Sequence, residues 1–228
     1  MQDIKSIANK IKQAGGNLYL VGGAVRDELL GKNGEIVDII PNIYPGYNLL
    51  NYQNNDEIMN YAGLPWAKVY KRQLFEKVRF LPGYWYEDTI IHCLLFTQCK
   101  KFAYVPQICY EYKWYEKNFS HVQGNSTNPK ALDRYWMLLA IIEQYKSMGL
   151  PFDEKFYTLL LKHLSAYYYP SIAGLEERVV EATFILAREL VVNYKPQKQC
   201  KLPYMLRVTE KAILTKDINL WKLASCNQ

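Results

Sequence analysis

The sequence predicts an α+β protein, a mixed α/β part followed by a helical C-terminal region. Three observations carry this. Half of the 228 residues are apolar, enough for a buried core. Up to about residue 127, short apolar runs bounded by Gly, Pro and Asn alternate with helix-spaced stretches. From about residue 128 the long runs are all helical in character, separated by Gly-Leu-Pro and Tyr-Pro-Ser breaks.

The elements follow in order. Ile4, Ile7, Ala8 and Ile11 recur at helical spacing, so residues 2–14 read as an amphipathic helix ended by Gly15-Gly16. "NLYLV" reads as a short buried strand, Gly22-Gly23 as a tight turn, "AVRDELLG" as a second helix and "EIVDII" as another strand. Residues 41–55, rich in Pro, Gly, Asn and Tyr, read as loop. "LPWAKVYKRQLFEKVRF" holds a short helix that turns Leu74, Phe75 and Val78 inward, and "YEDTIIHCLLFTQ" makes the next, with Glu87 and Asp88 in its first turn, where carboxylates suit the helix dipole. "KFAYV" and "ICYEYKWY" are strand-like, split by Pro106. Three helices follow in "ALDRYWMLLAIIEQYKSMG", "DEKFYTLLLKHLSAYYY" and "LEERVVEATFILARELVVNY", and a further helical segment spans residues 204–224.

The five cysteines form no Cys-x-x-Cys pair and have no metal-type spacing with the three histidines, which argues against a zinc site or a disulfide framework and for reduced thiols in a cytoplasm. No apolar run reaches the length of a membrane span, and the N-terminal segment lacks the apolar core of a signal peptide. The net charge of +6 is uneven: residues 1–98 carry ten basic and ten acidic groups, residues 195–228 seven and two. Such a tail, with Leu220 and Trp221 among its lysines, suits peripheral contact with an anionic membrane, so the expected location is cytoplasmic, extending to the inner face of the membrane. A solvated helix face is the alternative, and nucleic acid is not an expected partner.

Two stretches resemble known families. Residues 1–38, with "YLVGGAVRDELLG", resemble the head of the CCA-adding tRNA nucleotidyltransferases: Gly22, Gly23, Arg26 and Asp27 match residue by residue. The resemblance implies a nucleotide-binding turn in which the glycines let the backbone approach a triphosphate, and a following Asp-x-Asp that holds Mg²⁺. Asp38 falls on the second aspartate and Ile36 on the first, so Asp38 is the one metal ligand carried over.

From about Asp56 to His121 the chain resembles the second half of a family-2 glycosyltransferase of the GT-A fold. The shared pattern runs through Trp66, Lys68, Tyr70, Lys71, Arg72, Leu74, Phe75, Arg79, Phe80, Glu87, Asp88, Tyr110, Tyr112 and Ser120. With the helical tail this likeness covers about residues 39–228. It implies a partial GT-A-like α/β unit and an inverting transfer from a nucleotide sugar to a glycan or lipid-linked acceptor, with Mg²⁺ or Mn²⁺ as cofactor in an active enzyme. It also implies Asp88 as the base, Glu87 beside it on the acceptor, Trp66 and Tyr86 stacking on sugar faces, and Lys68 or Arg72 facing phosphate. A helix start that satisfies its own amides is the plain alternative for Glu87 and Asp88, as core packing is for Trp66. His121 is either a metal ligand or a surface residue, His92 reads as a core histidine and His163 as one on a helix surface.

The sequence contains no Asp-x-Asp, the motif by which a GT-A donor half binds metal and diphosphate. The expected organisation is a nucleotidyltransferase-like head fragment at 1–38, a glycosyltransferase acceptor-side region at 39–127 and a helical region at 128–228, with the donor-binding half missing. Three functions follow: a family-2-like glycosyltransferase, inactive as this chain if that half is required; a nucleotidyltransferase-like protein acting on tRNA; and a non-catalytic glycan-binding module.

Overall fold

The computed structural model describes residues 72–99, 127–198 and 200–226, with residues 64, 65, 68 and 70 and the isolated positions 9, 13, 49, 50, 102 and 103. A two-residue antiparallel pairing joins Leu49–Leu50 (β1) to Phe102–Ala103 (β2), with Leu49 opposite Ala103. The rest of the regular structure among the described residues is helical.

A tight helical turn at Arg72–Phe75 opens the described core. The Arg79 guanidinium donates to the carbonyls of Phe75, Glu76 and Val78 and so closes the end of this turn. Helix α1 runs through Asp88–Ile90, Ile91–Leu95 and Phe96–Gln98, and its middle segment is a π turn. Asn128 caps the turn Pro129–Leu132, which leads into α2 at Asp133–Met148. Gly149 ends α2 in the left-handed region at φ 65°, with its N–H on Lys146 and that of Leu150 on Tyr145, the glycine-terminated closure that a side chain would strain. Asp153 caps α3, which spans Glu154–Lys162, a second π turn at His163–Tyr167, and Tyr168–Ile172. Helix α4 is Glu177–Tyr194, α5 is Tyr204–Leu214 and α6 is Ile218–Cys226.

Helix α1 packs on α2, α3 on α4 and α5, and α5 on α4 and α6. The two π turns share a physical role. The Cys93 carbonyl in the first accepts the Tyr145 hydroxyl of α2 at 3.1 Å, and the Leu164 carbonyl in the second accepts Trp221 Nε1 of α6 at 3.0 Å, both bonds buried. Each π turn thus ties its helix to a neighbour through a backbone acceptor that the aromatic donor satisfies inside the core. Around Tyr145, the rings of Phe152, Phe156 and Tyr194 close the same core with centroids 4.7–5.7 Å apart.

This corrects the α+β expectation. The described residues build a helical assembly, without a GT-A-like α/β unit. The run Ile90–Phe96 is buried at every position, and among the described residues its principal neighbours are helices. A short apolar run of this kind has no period by which sequence could tell a helix wrapped by helices from one laid on strands. Three smaller readings change as well. The helical segment expected over residues 204–224 is present as two helices parted at residues 215–217, where Lys216 takes φ 61° and Asp217 caps α6 through the Leu220 N–H. Trp221, expected among exposed lysines, is fully buried against Tyr169 and Phe184. His163, expected on a helix surface, is buried at 3 % exposure.

Candidate functional site

The site is the corner where the segment before α1 meets the starts of α2 and the π turn of α3. In "FLPGYWYED" the Pro82-Gly83 pair makes a turn with Gly83 at φ 83°, the value a glycine at the third turn position supplies without strain. Two residues of α2's entry then pin the segment. Asp133 Oδ2 accepts the Trp85 N–H at 3.0 Å and Lys130 Nζ at 2.7 Å, while Lys130 Nζ also donates to the Gly83 carbonyl at 2.6 Å. Further back, Gln144 exchanges two bonds with the Arg79 backbone, as a strand neighbour does. Held at both places, the chain forces Tyr86 into the left-handed region at φ 68°, a strained conformation for a side chain with a Cβ.

Arg134 rests on that tyrosine. Its guanidinium carbon lies 3.8 Å from the centre of the Tyr86 ring and 5.6 Å from that of Tyr167. Burial pulls the Arg134 pKa down, and the fields of Tyr86, Asp88 and Tyr167 act the other way. The guanidinium is therefore a desolvated cation held by aromatic faces and by the charge of Asp88. Asp88 itself is half-buried in the first turn of α1. Glu87 makes no side-chain cap on α1, and partial burial of its carboxyl raises its pKa, opposed by a bond to its own backbone and aided by neighbouring Asp88. The bond to its own backbone is what the plain alternative, a helix start that satisfies its own amides, predicts for Glu87, so that alternative stands beside the functional one.

Behind the acidic pair, His92 and His163 face each other across the two π turns, ring centroids 5.5 Å apart. Among the described residues, neither nitrogen of His163 has a hydrogen-bond partner, nor does Thr89 Oγ1. Burial, then the positive fields of His92, Arg134 and Lys162, hold the His163 pKa well below its ordinary value, so its imidazole is neutral. Most buried polar atoms in proteins are paired. A buried polar atom left unpaired costs stability.

The sequence-derived candidates divide. Tyr86, Glu87 and Asp88 come together here. Lys68 is occupied: its amine donates to the Leu64 carbonyl at 2.9 Å, and burial lowers its pKa to about 8. Arg72 is exposed on the Arg72–Phe75 turn. No contact among the described residues joins either to the corner. Trp66, Gly22, Gly23, Arg26, Asp27, Asp38 and His121 lie outside the described residues. Among the described residues no cluster of three or more His, Cys, Asp or Glu could hold a metal ion, and no helix is long and apolar enough to cross a membrane.

Sequence reasoning missed Arg134, Asp133 and His163. For Arg134 there was a signal. A cation in the first turn of a helix opposes the dipole, so a structural purpose alone does not favour it there. His163 carried none, because its helix reads as amphipathic whichever side the imidazole takes. No protein-family model, no curated protein and no solved structure matches the chain.

Proposed function

We propose that this chain provides the acceptor side of an inverting, family-2-like glycosyl transfer, with Asp88 as the base. The observation that supports this reading is the carboxylate pair at the start of α1: Asp88 is half-buried in the first turn, and its charge acts on the buried Arg134 guanidinium. In such a transfer the acceptor hydroxyl oxygen bonds to the anomeric carbon of a nucleotide sugar while the bond to the leaving diphosphate breaks. The hydroxyl proton passes to the Asp88 carboxylate, and the configuration inverts once. Tyr86 is buried, with Arg134 over its ring, and its part in this reading is to position the acidic pair that follows it, not to touch the sugar. Glu87, whose carboxyl holds its proton to higher pH than an ordinary glutamate, serves as hydrogen-bond partner to a second hydroxyl.

Glycan recognition without transfer uses the same corner, and the missing Asp-x-Asp favours it as the second reading. One experiment separates the two. The protein is incubated with nucleotide sugars, Mn²⁺ and glycan or lipid-linked acceptors, and nucleoside diphosphate release is followed beside acceptor binding. Transfer that falls about 10²-fold or more in Asp88→Asn with acceptor binding retained supports the base. Acceptor binding with no transfer in either protein selects recognition. Transfer unaffected by Asp88→Asn removes Asp88 from the role.

A further inference from the structure

The excess charge of the C-terminal region is concentrated in residues 195–228, where seven basic residues meet two acidic ones. The fold commits both acids internally. Glu210 accepts the buried Tyr157 hydroxyl at 2.7 Å and pairs with Lys195 at 3.0 Å, and Asp217 caps α6 through the Leu220 N–H. Lys222 is spent on Glu177 of α4. Lys198, Lys201, Arg207, Lys211 and Lys216 remain, exposed and with no ion pair among the described residues.

Their arrangement is directional. On α5, Leu206, Thr209, Ala212 and Ile213 face the core, while Tyr204, Arg207 and Lys211 are exposed at i, i+3 and i+7, a single stripe with half-exposed Val208 beside it. Tyr204 is 68 % exposed, and the Arg207 guanidinium lies 5.8 Å from its ring centre. Past the end of α5, Lys216 lines a groove of about 450 Å³ together with Glu181, Phe184, Ile185, Arg188 and Ile218. Ile185, in the wall of that groove, is 61 % exposed.

We propose that this face of α5, with Tyr204 at one end and the Lys216 groove at the other, docks on an anionic membrane surface. A bilayer surface meets both halves of the pattern: headgroup charge for the cations, and an interfacial layer for the tyrosine ring and the apolar groove wall. Nucleic acid fits less well, because the stripe offers one exposed aromatic ring, Tyr204, and not a run of rings on which successive bases would stack. The proposal does not depend on the transfer reading, and its test does not use Asp88.

The test is sedimentation of the full chain with vesicles of phosphatidylcholine alone and of phosphatidylcholine with phosphatidylserine, at low salt. Recovery with the anionic vesicles only is expected, weakening as salt rises. Arg207→Gln with Lys211→Gln, two exposed changes, should lower partitioning on the order of 30-fold while the circular dichroism stays helical. Inorganic phosphate at matched ionic strength should compete no better than chloride; stronger competition would mean a site for free phosphate and overturn the membrane assignment. Equal recovery with both vesicles, or an unchanged double variant, overturns it too. Tighter binding to single-stranded RNA than to anionic vesicles replaces it with a nucleic-acid surface.

Discussion

The buried neutral His163 makes the corner acid-sensitive, with a sign that can be worked out in advance. In the unfolded chain this imidazole titrates near 6.5, whereas in the folded state burial and the charges of His92, Arg134 and Lys162 hold its pKa well below that value. Below about pH 6.5 the unfolded state therefore binds a proton that the folded state refuses. Stability rises with pH in this window and is lost as pH falls. Between pH 7.5 and pH 5 one such group removes about 2 kcal/mol, or about 4–8 °C of melting temperature for a chain of this size. Glu87 acts in the opposite sense: its raised pKa means that the folded state binds the extra proton, so its contribution improves as pH falls through the carboxylate range. The assay is urea unfolding followed by circular dichroism across that pH range, for the wild type and His163→Leu. The leucine should flatten the slope, since it fills similar volume and removes both unpaired nitrogens. Parallel pH dependence in the two proteins would refute the assignment of a neutral, unprotonatable His163.

Other outcomes follow from the same geometry. Asp133→Ala takes the acceptor from the Trp85 N–H and from Lys130, so it should cost about 1–3 kcal/mol in urea unfolding and raise amide exchange in residues 83–86. Trp221→Phe strips the indole donor from the Leu164 carbonyl and should cost about 1–3 kcal/mol, whereas Tyr145→Phe leaves the Cys93 carbonyl with the Thr97 hydroxyl at 2.9 Å and should cost only about 0.5–1.5 kcal/mol; the two should add because they serve different helices. Tyr86→Gly relieves a left-handed side chain but removes the ring under Arg134; a net gain in stability would mean that the cation–π contact contributes less than the strain of about 1–3 kcal/mol.

The helices from residue 129 onward were legible because they carry their own punctuation: Asn128 and Asp153 cap, Gly149 stops α2, and apolar residues recur with helical spacing. The break at residues 215–217 was not, since Lys216 adopts a left-handed conformation that its side chain does not announce. The α/β expectation failed at Ile90–Phe96, where an apolar run says only that it is buried and the partner decides on what. Of the proposed site, the sequence offered the Glu87–Asp88 pair at a helix start, where the structure also puts it. The residues that give the pair its surroundings, Arg134 from α2 and His163 from α3, lie about 45 and 75 positions away in sequence, so only the packing of α1 against its neighbours brings them together.

The most direct test of the central claim, that the corner of Tyr86, Asp88 and Arg134 meets a glycan, is amide chemical-shift mapping of the full chain against a panel of soluble oligosaccharides. The account predicts that a binding sugar shifts the amides of Trp85–Thr89 and of Arg134, and that Arg134→Gln weakens its affinity without altering shifts on α5. A sugar that binds elsewhere with those amides unmoved, or binding indifferent to Arg134→Gln, would contradict it.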